Sequence, residues 1–399
     1  MIHKPFNQQI TQDDINLLVE NETKEGRTLE YKQQLPGITD EDKKEFLADV
    51  SSFANAAGGD LLYGVKEKRD ADNKATGFPE CVPGLAGINT DQEICRIDSM
   101  IQASVAPRIT GIHIQPVDGF EDGPLLLLRI PKSYAAPHMV TFKNHSRFYS
   151  RNNGGKYALD VGELRSAFAL SESLPERIRR FRDERLARII AGETPLQLRD
   201  GSKVVLHIMP LSAIVSKEKE ALDIHRLCDQ HGGLPLPCFA SAGRHCRFNF
   251  DGLLSFDTGS ESDTRIAYAQ AFRNGAAEFV DTCTLAGIVQ QQVLPVTRIE
   301  KSLIRGLTEY MRIMASLDVQ PPLVVMPSLL GVRGSHINYQ ADCGPYPIDR
   351  NDLFLSDVLV EDMRSNAAQL LRPTFDALWQ AAGWRRSFNY NEQGEWVER

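Results

Sequence analysis

The 399-residue sequence has no long run of apolar residues, no apolar leader and few cysteines. Its apolar stretches, such as Leu125–Leu128 and Ile288–Val296, are far shorter than the roughly 20 residues that a transmembrane helix needs. The first residues lack the apolar region of a secretory signal peptide. Seven thinly spread cysteines favour reduced thiols over a disulfide framework. These absences predict a soluble protein of the cytoplasm with no membrane partner.

Positive charge is also scarce, because 45 Lys and Arg face 53 Asp and Glu and the formal net charge is −8. Such a balance argues against broad, nonspecific coating of nucleic acid. One stretch departs from it, since residues 123–159 contain no Asp or Glu where the average composition would place about five. Its cations are Arg129, Lys132, Lys143, Arg147, Arg151 and Lys156, and aromatic residues are interleaved with them.

Cations that bind phosphates and rings that stack on bases are what single-stranded or looped RNA requires. The acid-free stretch therefore predicts an RNA contact. The alternative is that the aromatic rings belong to the core and the cations are merely solvated.

The length indicates two or three domains at roughly 100–200 residues each. Helices mixed with hairpin-linked strands predict an α+β fold. We place a first domain at residues 1–172, a helical linker at 173–194 and a second α+β domain at 195–399. Six arginines of the linker alternate with acids, which predicts a solvated helix. Apolar positions at helical spacing predict a long helix over Leu353–Ala382.

Three glutamates and a lysine near the N-terminus form the strongest candidate for a catalytic site. Glu30 and Lys32 are two residues apart on a predicted strand, so both side chains project from one face. Glu25 precedes this strand, and Glu67 follows the next one. If the two strands are neighbours, the carboxylates gather at one sheet edge, where hard oxygen ligands suit Mg²⁺ or Mn²⁺. Lys32 would then stabilise the charge that develops in phosphoryl transfer. The alternative for each residue alone is an ordinary solvated side chain.

The order of these motifs resembles the Schlafen core domain, which is called AlbA-like in bacteria. The resemblance covers about residues 12–170 and rests on Glu30-Tyr-Lys32, Phe53-Ala-Asn55-Ala-Ala-Gly-Gly-Asp-Leu-Leu-Tyr-Gly-Val65 and Arg147-Phe-Tyr-Ser-Arg151-Asn-Asn-Gly-Gly. It implies a mixed sheet with flanking helices and nucleic-acid binding. Family members that cleave tRNA and rRNA use three carboxylates in a metal-dependent nuclease site. The first two, glutamates five residues apart, fall on Glu25 and Glu30, and the third, usually Asp, falls on Glu67.

This resemblance implies a metal-dependent endoribonuclease that acts on structured RNA such as tRNA. Lys132, Lys143, Arg147, Arg151 and Lys156 are the predicted contacts to the RNA backbone. A non-catalytic nucleic-acid-binding regulator is the alternative, and many bacterial relatives suggest a role in defence against phages. The sequence contains no Gly-x-x-x-x-Gly-Lys-Ser/Thr loop, which argues against nucleotide hydrolysis.

The second half of the chain resembles no family that we recognise. It carries five potential zinc ligands, namely Cys228, His231, Cys238, His245 and Cys246. Only the first pair has a regular Cys-x2-His spacing, so buried thiols are the preferred interpretation and a zinc site is the alternative. Elimination leaves a sensor, regulatory or dimerisation role for this region, with a homodimer or a phage-derived trigger as candidate partners.

Overall fold

The computed structural model describes residue 2 and residues 9–215, 222–236, 244–257, 264–286, 292–338 and 346–398. The chain divides into two compact units, Met1–Leu174 and Pro175–Arg399. Helices and sheets occur in both units, which confirms the predicted α+β class. No helix within these ranges has the length and apolar character needed to cross a membrane.

The first unit contains three complete helices in its described residues and the beginning of a fourth. The helices are α1 (Gln12–Glu20), α2 (Asp40–Asn55), α3 (Thr90–Ser104) and α4 (Val161–Ile190). The strands are β1 (Leu29–Lys32), β2 (Gly59–Tyr63), β3 (Lys66–Arg69), β4 (Ala75–Cys81), β5 (Val105–Ala106), β6 (His113–Val117), β7 (Leu125–Ile130), β8 (Met139–Phe142), β9 (His145–Asn152) and β10 (Gly155–Ala158).

A four-stranded sheet with the order β1-β2-β7-β6 forms the centre of this unit. β1 and β2 run parallel, while β2, β7 and β6 pair antiparallel, so the sheet is mixed as the resemblance implies. A second sheet has the order β10-β9-β8-β5, and β3 and β4 form a hairpin. The parallel pairing of β1 with β2 makes these two strands neighbours, and Glu67 follows β2 in the β3–β4 hairpin, at the second residue of β3.

The two faces of the central sheet bury different apolar clusters because side chains alternate along each strand. Leu61, Leu126 and Leu128 pack under α2, whereas Leu62, Leu125 and Leu127 face α1. Full burial of a leucine side chain stabilises the fold by about 2 kcal/mol. The sheet is therefore a rigid support for polar groups that lie at its edges.

Two glycines, Gly58 and Gly59, follow the end of α2. Gly58 has a φ of +72°, and its amide donates to the Phe53 carbonyl oxygen. A Cβ atom on Gly58 would lie 2.6 Å from the backbone nitrogen of Lys132 and 2.7 Å from the carbonyl oxygen of Ile130. Only glycine combines this left-handed conformation with so close a backbone approach.

The second unit continues α4 and adds several shorter helices and one long sheet. Its further helices are α5 (Ser212–Val215), α6 (Ile224–His231), α7 (Val296–Ser316), α8 (Ala367–Leu370) and α9 (Arg372–Ala381). Its strands are β11 (Lys203–Pro210), β12 (Arg244–Phe248), β13 (Gly252–Asp257), β14 (Ala267–Phe272), β15 (Ala277–Asp281), β16 (Leu323–Leu330), β17 (Leu353–Phe354) and β18 (Val358–Val360).

These strands form one antiparallel sheet with the order β12-β13-β14-β15-β11-β16-β17, and β18 pairs beside β16. The predicted long helix over Leu353–Ala382 is wrong, because this range holds two short strands before α8 and α9. The predicted apolar stripe is nevertheless core, since Phe375, Leu378 and Trp379 are buried. The apolar spacing predicts one helix here because short buried strands and a buried helix have a similar apolar composition.

The arginine-rich segment also differs from its prediction. Helix α4 extends over Val161–Ile190, so it begins before the predicted linker at residue 173 and contains Pro175 in its interior. Arg185 is not solvated but donates two hydrogen bonds to buried Glu278 on β15, at 2.8 and 2.7 Å. A buried carboxylate thus recruits an arginine that the local charge pattern assigns to solvent.

Candidate active site

Glu25 lies at the free edge of β1. A tight turn, closed by a hydrogen bond from the Gly26 amide to the Leu29 carbonyl, folds the chain back along the strand. The Tyr31 amide at this edge then donates to Glu25 Oε1 at 2.6 Å. The carboxylate thereby caps a strand N–H that has no neighbouring strand, which also protects the edge.

The β3–β4 hairpin brings Glu67 towards Glu25 through Gly77. The Gly77 amide donates to Glu67 Oε2 at 3.2 Å, and its carbonyl accepts from the Glu25 amide at 2.7 Å. Gly77 has a φ of +76°, and a Cβ atom there would lie 3.6 Å from Glu25 Oε2. Sequence reasoning missed this glycine, which links the Glu67 carboxylate to the backbone of Glu25. Lys66, adjacent in sequence, instead pairs with exposed Glu80 at 3.1 Å.

The three carboxylates are close enough to influence one another. Burial raises the pKa of Glu25, the hydrogen bond from the Tyr31 amide lowers it, and the charges of Glu67 and Glu30 raise it, so that the pKa is about 7 in total. Neither Glu25 nor Glu67 has an ion-pair partner among the residues that the structure describes. Of the three carboxylates, Glu25 and Glu67 are therefore the two that no lysine or arginine of the described residues pairs with, whereas Glu30 is ion-paired.

Glu30 and Lys32 project from the same face of β1, as predicted, and they bind each other. Lys32 Nζ lies 2.7 Å from Glu30 Oε1 and 3.8 Å from Asp49 Oδ2 on α2. Burial lowers the pKa of Lys32, but the charges of Asp49 and Glu30 outweigh this and raise it. Lys32 is thus a firmly protonated cation beside the carboxylates. Sequence reasoning missed Asp49, its second partner.

The predicted RNA contacts have different surroundings. Arg151 is buried and ion-paired with Glu30, so its guanidinium is not offered to solvent. Lys156 pairs with Asp49, and Lys143 pairs with Asp40 at the beginning of α2. Lys132 Nζ lies 5.7 Å from the centre of the Tyr134 ring. Arg147 is exposed on β9. The acids that neutralise three of these cations come from β1 and α2, far away in sequence.

Asn55 of the Phe-Ala-Asn motif connects α2 to the second sheet. Its amide nitrogen donates to the carbonyl oxygens of His138 and Tyr149 at 2.9 and 2.8 Å, and its oxygen accepts from the His138 amide at 2.7 Å. Only a side chain with both donor and acceptor can make this set. The motif asparagine therefore holds β8 and β9, and with them Arg151, against α2.

The donor chemistry of the edge fits a hard divalent cation. Glu25 and Glu67 supply oxygen ligands, lack an ion pair and repel each other, and Mg²⁺ or Mn²⁺ would offset that repulsion. Glu30 differs, because Lys32 and Arg151 already occupy its two oxygens. Within the described residues, no three His, Cys, Asp or Glu side chains are arranged as a ready metal-binding group.

The potential zinc ligands of the second unit are dispersed. Cys228 and Cys246 place their sulfur atoms 3.7 Å apart, but His231 faces Ser316 at 3.0 Å. His245 lies on the other face of β12, beside the Phe256 ring. Cys238 lies outside the described residues. The two thiols are in contact, but both cysteines are half-buried and not buried as the preferred interpretation expects.

Comparison with known proteins places the edge site inside a family domain. Residues 25–160 match the family model described as Schlafen, AlbA_2. A comparison with curated proteins found no match.

Solved structures show limited similarity. The N-terminal domain of a RecG-related protein from Nitrosomonas europaea is 23% identical, with 30% of this chain and 72% of that chain covered and a TM-score of 0.23. The DIP2311 protein from Corynebacterium diphtheriae is 14% identical, with 34% of this chain and 22% of that chain covered and a TM-score of 0.22. The chain thus spans less than a quarter of that second protein.

The family match confirms the resemblance of the sequence motifs and supports nucleic-acid binding by the first unit. Glu25, Glu30, Lys32 and Glu67 all lie within the matched range. The range from residue 25 to residue 160 is therefore similar to the Schlafen AlbA_2 domain.

Proposed function

We propose that the first unit is a metal-dependent endoribonuclease that cleaves structured RNA, with tRNA as the first substrate to test. The observation that carries this proposal is the electrostatic coupling of Glu25 to Glu67 and Glu30, beside a protonated Lys32, within a Schlafen AlbA_2 domain. Glu25, Glu30 and Glu67 would hold Mg²⁺ or Mn²⁺. Bound there, such an ion supplies charge neutralisation for a phosphodiester and activates water.

The side chains of this chain have separate tasks in the proposal. Lys32 places a fixed positive charge near the carboxylates, where it stabilises negative charge on a phosphate. Gly77 and the Tyr31 amide orient Glu67 and Glu25. Arg147 and Lys132 contact the RNA backbone, since Arg147 is exposed and Lys132 has no acidic partner in the described structure.

The test is incubation of the purified full chain with total tRNA and Mn²⁺, followed by separation of the fragments on a denaturing gel. We expect fragments with the wild-type chain and a loss of at least about 100-fold in rate with Glu25→Gln or Glu30→Gln, because each removes a carboxylate charge. Glu80→Gln is the matched control, since Glu80 is an exposed glutamate of the same hairpin. Equal cleavage by wild type and both site variants would overturn the assignment.

A non-catalytic nucleic-acid-binding protein is the second candidate. It is favoured by the ion pairs that occupy both oxygens of Glu30 and by glutamate at Glu67, where the family usually has Asp. In this case tRNA binds in a salt-sensitive manner, and no fragments appear with Mg²⁺, Mn²⁺ or any other divalent ion. A sensor role for residues 195–399 and a link to phage defence stay predictions.

A further inference from the structure

A partly buried chain of alternating charges includes Glu30, on the face of the central sheet that α2 covers. Arg151 pairs with Glu30, which pairs with Lys32 at 2.7 Å. Lys32 approaches Asp49 at 3.8 Å, and Asp49 pairs with Lys156 at 2.8 Å. Cations and anions thus alternate over five side chains. No local sequence pattern connects Arg151, Asp49 or Lys156 to Glu30.

Asp49 is the more buried of the two acids in this chain of charges. Its side chain is only 2% exposed, although α2 otherwise buries apolar residues such as Phe46, Val50 and Phe53 on this face. Removing a carboxylate from water costs several kcal/mol unless cations compensate for it. Lys32 and Lys156 provide that compensation. Because the burial of a carboxylate on an apolar helix face has this cost, we expect Asp49 to influence the two lysines with which it pairs.

Arg151 is the buried cation at the other end. Its side chain is 2% exposed, and its guanidinium carbon lies 3.9 Å from the centre of the Phe53 ring. Nη2 donates to Glu30, whereas Nε and Nη1 are buried and have no hydrogen-bond partner in the described structure. A guanidinium remains charged even when buried. Its contacts therefore serve to hold Glu30, and it is too buried to bind RNA directly.

We propose that Asp49 and Arg151 are positioning residues of the edge site, Asp49 acting through Lys32 and Arg151 acting through Glu30. The proposal rests on the proposed nuclease function and adds two residues to it. Arg151 orients the Glu30 carboxylate from behind. The Asp49 carboxylate attracts the Lys32 ammonium group and so weakens the pairing of Lys32 with Glu30. The Glu30 oxygens can then turn towards a divalent cation.

Substitution of Asp49 tests this role without changing the shape of the side chain. In Asp49→Asn, Lys32 keeps Glu30 as its only close carboxylate and binds it more tightly. We expect Mn²⁺ affinity, measured by titration calorimetry, and kcat for tRNA cleavage to fall by about tenfold each, as is typical when support of a metal ligand is lost. KM for tRNA stays unchanged, because Asp49 is too buried to touch RNA.

Substitution of Arg151 gives an independent test. Arg151→Gln is expected to lower kcat by about tenfold, and Arg151→Lys, which keeps the charge, restores part of that loss. KM again stays unchanged. Arg147→Gln, which removes an exposed cation of the same strand, should instead raise KM and leave kcat alone. A rise in KM for Arg151→Gln equal to that of Arg147→Gln would overturn the positioning role.

Asp60→Asn is the matched control for buried charge. Asp60 is fully buried and pairs with Arg129 at 3.0 Å, on the opposite face of the same sheet. This variant is expected to lose stability in urea while kcat per folded molecule is unchanged. If Asp49→Asn loses kcat only in proportion to its unfolded fraction, as Asp60→Asn does, the proposal is wrong.

The calorimetric arm separates this proposal from the proposed function. If the wild-type chain binds Mn²⁺ but cleaves no RNA, the nuclease function fails, and a lower Mn²⁺ affinity of Asp49→Asn still supports the positioning role. Equal affinity of the two chains would contradict it. Absence of Mn²⁺ binding by the wild type would overturn both.

Discussion

Several residues of the first unit have structural roles that their chemical type does not indicate. Asp49 lies at the spacing of the apolar stripe on α2, three residues after Phe46 and four before Phe53, yet it is a carboxylate with two lysine partners. Arg151 looks like a phosphate contact in sequence and is a buried support in the structure. Asn55 looks like a polar helix end and joins three backbone groups. An acid or an amide that occurs within the apolar stripe of a helix is the sequence pattern that indicates a buried structural role for that residue.

The Asn55 contacts lead to a prediction at this scale. Asn55→Asp keeps the size of the side chain but turns an acceptor oxygen towards the carbonyls of His138 and Tyr149. The variant loses both hydrogen bonds, and the two carbonyl oxygens then face a carboxylate. We expect this to destabilise the first unit by about 2–4 kcal/mol. Hydrogen exchange read by mass spectrometry over β8 and β9 measures this. Asn153→Asp, at an exposed position nearby, should change protection little; equal protection in both variants would contradict the assigned role of Asn55.

At the scale of elements, one buried glutamate fastens α4 to the sheet of the second unit. Glu278 on β15 accepts from Arg185 of α4, from His207 Nε2 on β11 at 2.8 Å and from the Tyr268 hydroxyl on β14 at 2.7 Å. Burial alone raises the pKa of Glu278, but the hydrogen bonds of Arg185 and His207 outweigh it and lower the pKa to about 2. The ionised form is therefore the form that the fold stabilises.

This shift predicts the acid sensitivity of the second unit. Because the folded pKa lies below the ordinary value of 4.5, the Glu278 contribution is fully present above about pH 4.5 and is lost as the pH falls towards 2. Its size near neutral pH is on the order of 3 kcal/mol. Urea unfolding followed by tryptophan fluorescence reports on this unit, since Trp379, Trp384 and Trp396 all belong to it.

Glu278→Gln provides the comparison. The gap in unfolding free energy between wild type and Glu278→Gln should be large at pH 7 and shrink between pH 4.5 and the lowest pH at which the chain folds. Glu309→Gln, which breaks an exposed pair with Arg312 on α7, should cost at most about 0.5 kcal/mol at any pH. A gap that does not depend on pH would show that the ionised carboxylate is not what stabilises α4 on the sheet.

For the molecule as a whole, the net charge of −8 and the placement of cations limit how nucleic acid can bind. Three of the five predicted RNA contacts, Lys143, Arg151 and Lys156, pair with carboxylates of the same unit. Lys132 and Arg147 have no such partner in the described residues. Of the five predicted contacts, Lys132 and Arg147 are therefore the ones available to displace counterions from RNA.

The expected result is a shallow salt dependence of binding. With about two or three phosphate contacts, the slope of log K against log salt concentration should be about −2 for single-stranded or looped RNA. Fluorescence anisotropy of a labelled tRNA over a range of NaCl concentrations measures it. The double variant Lys132→Gln with Arg147→Gln should flatten the slope further, while Lys68→Gln, from the exposed Lys68–Glu22 pair, should not. A steep slope in the double variant would place the RNA on other cations.

Much of the fold could be predicted from short-range patterns. The α+β class and the common face of Glu30 and Lys32 depend on residues close in sequence, and the structure confirms both. Leu353–Ala382 could not be predicted correctly, because a run of buried apolar residues has the same composition in a helix as in short strands. Spacing and resemblance indicate the three glutamates in the sequence. That Gly77 of β4 and Asp49 of α2 lie near these side chains follows only from the tertiary structure.

The sequence alone determined the α+β class, the Schlafen-like motifs and the residues at which carboxylates and cations occur, since these are properties of composition and local spacing. Tertiary structure decided which of those charges face each other. Asp49 and Arg151 became partners of Lys32 and Glu30 because α2 and β9 pack on the same face of the central sheet, although they are distant along the chain. Electrostatic energy depends on distance in space and on burial, so the identity of the groups that support the edge site follows from packing.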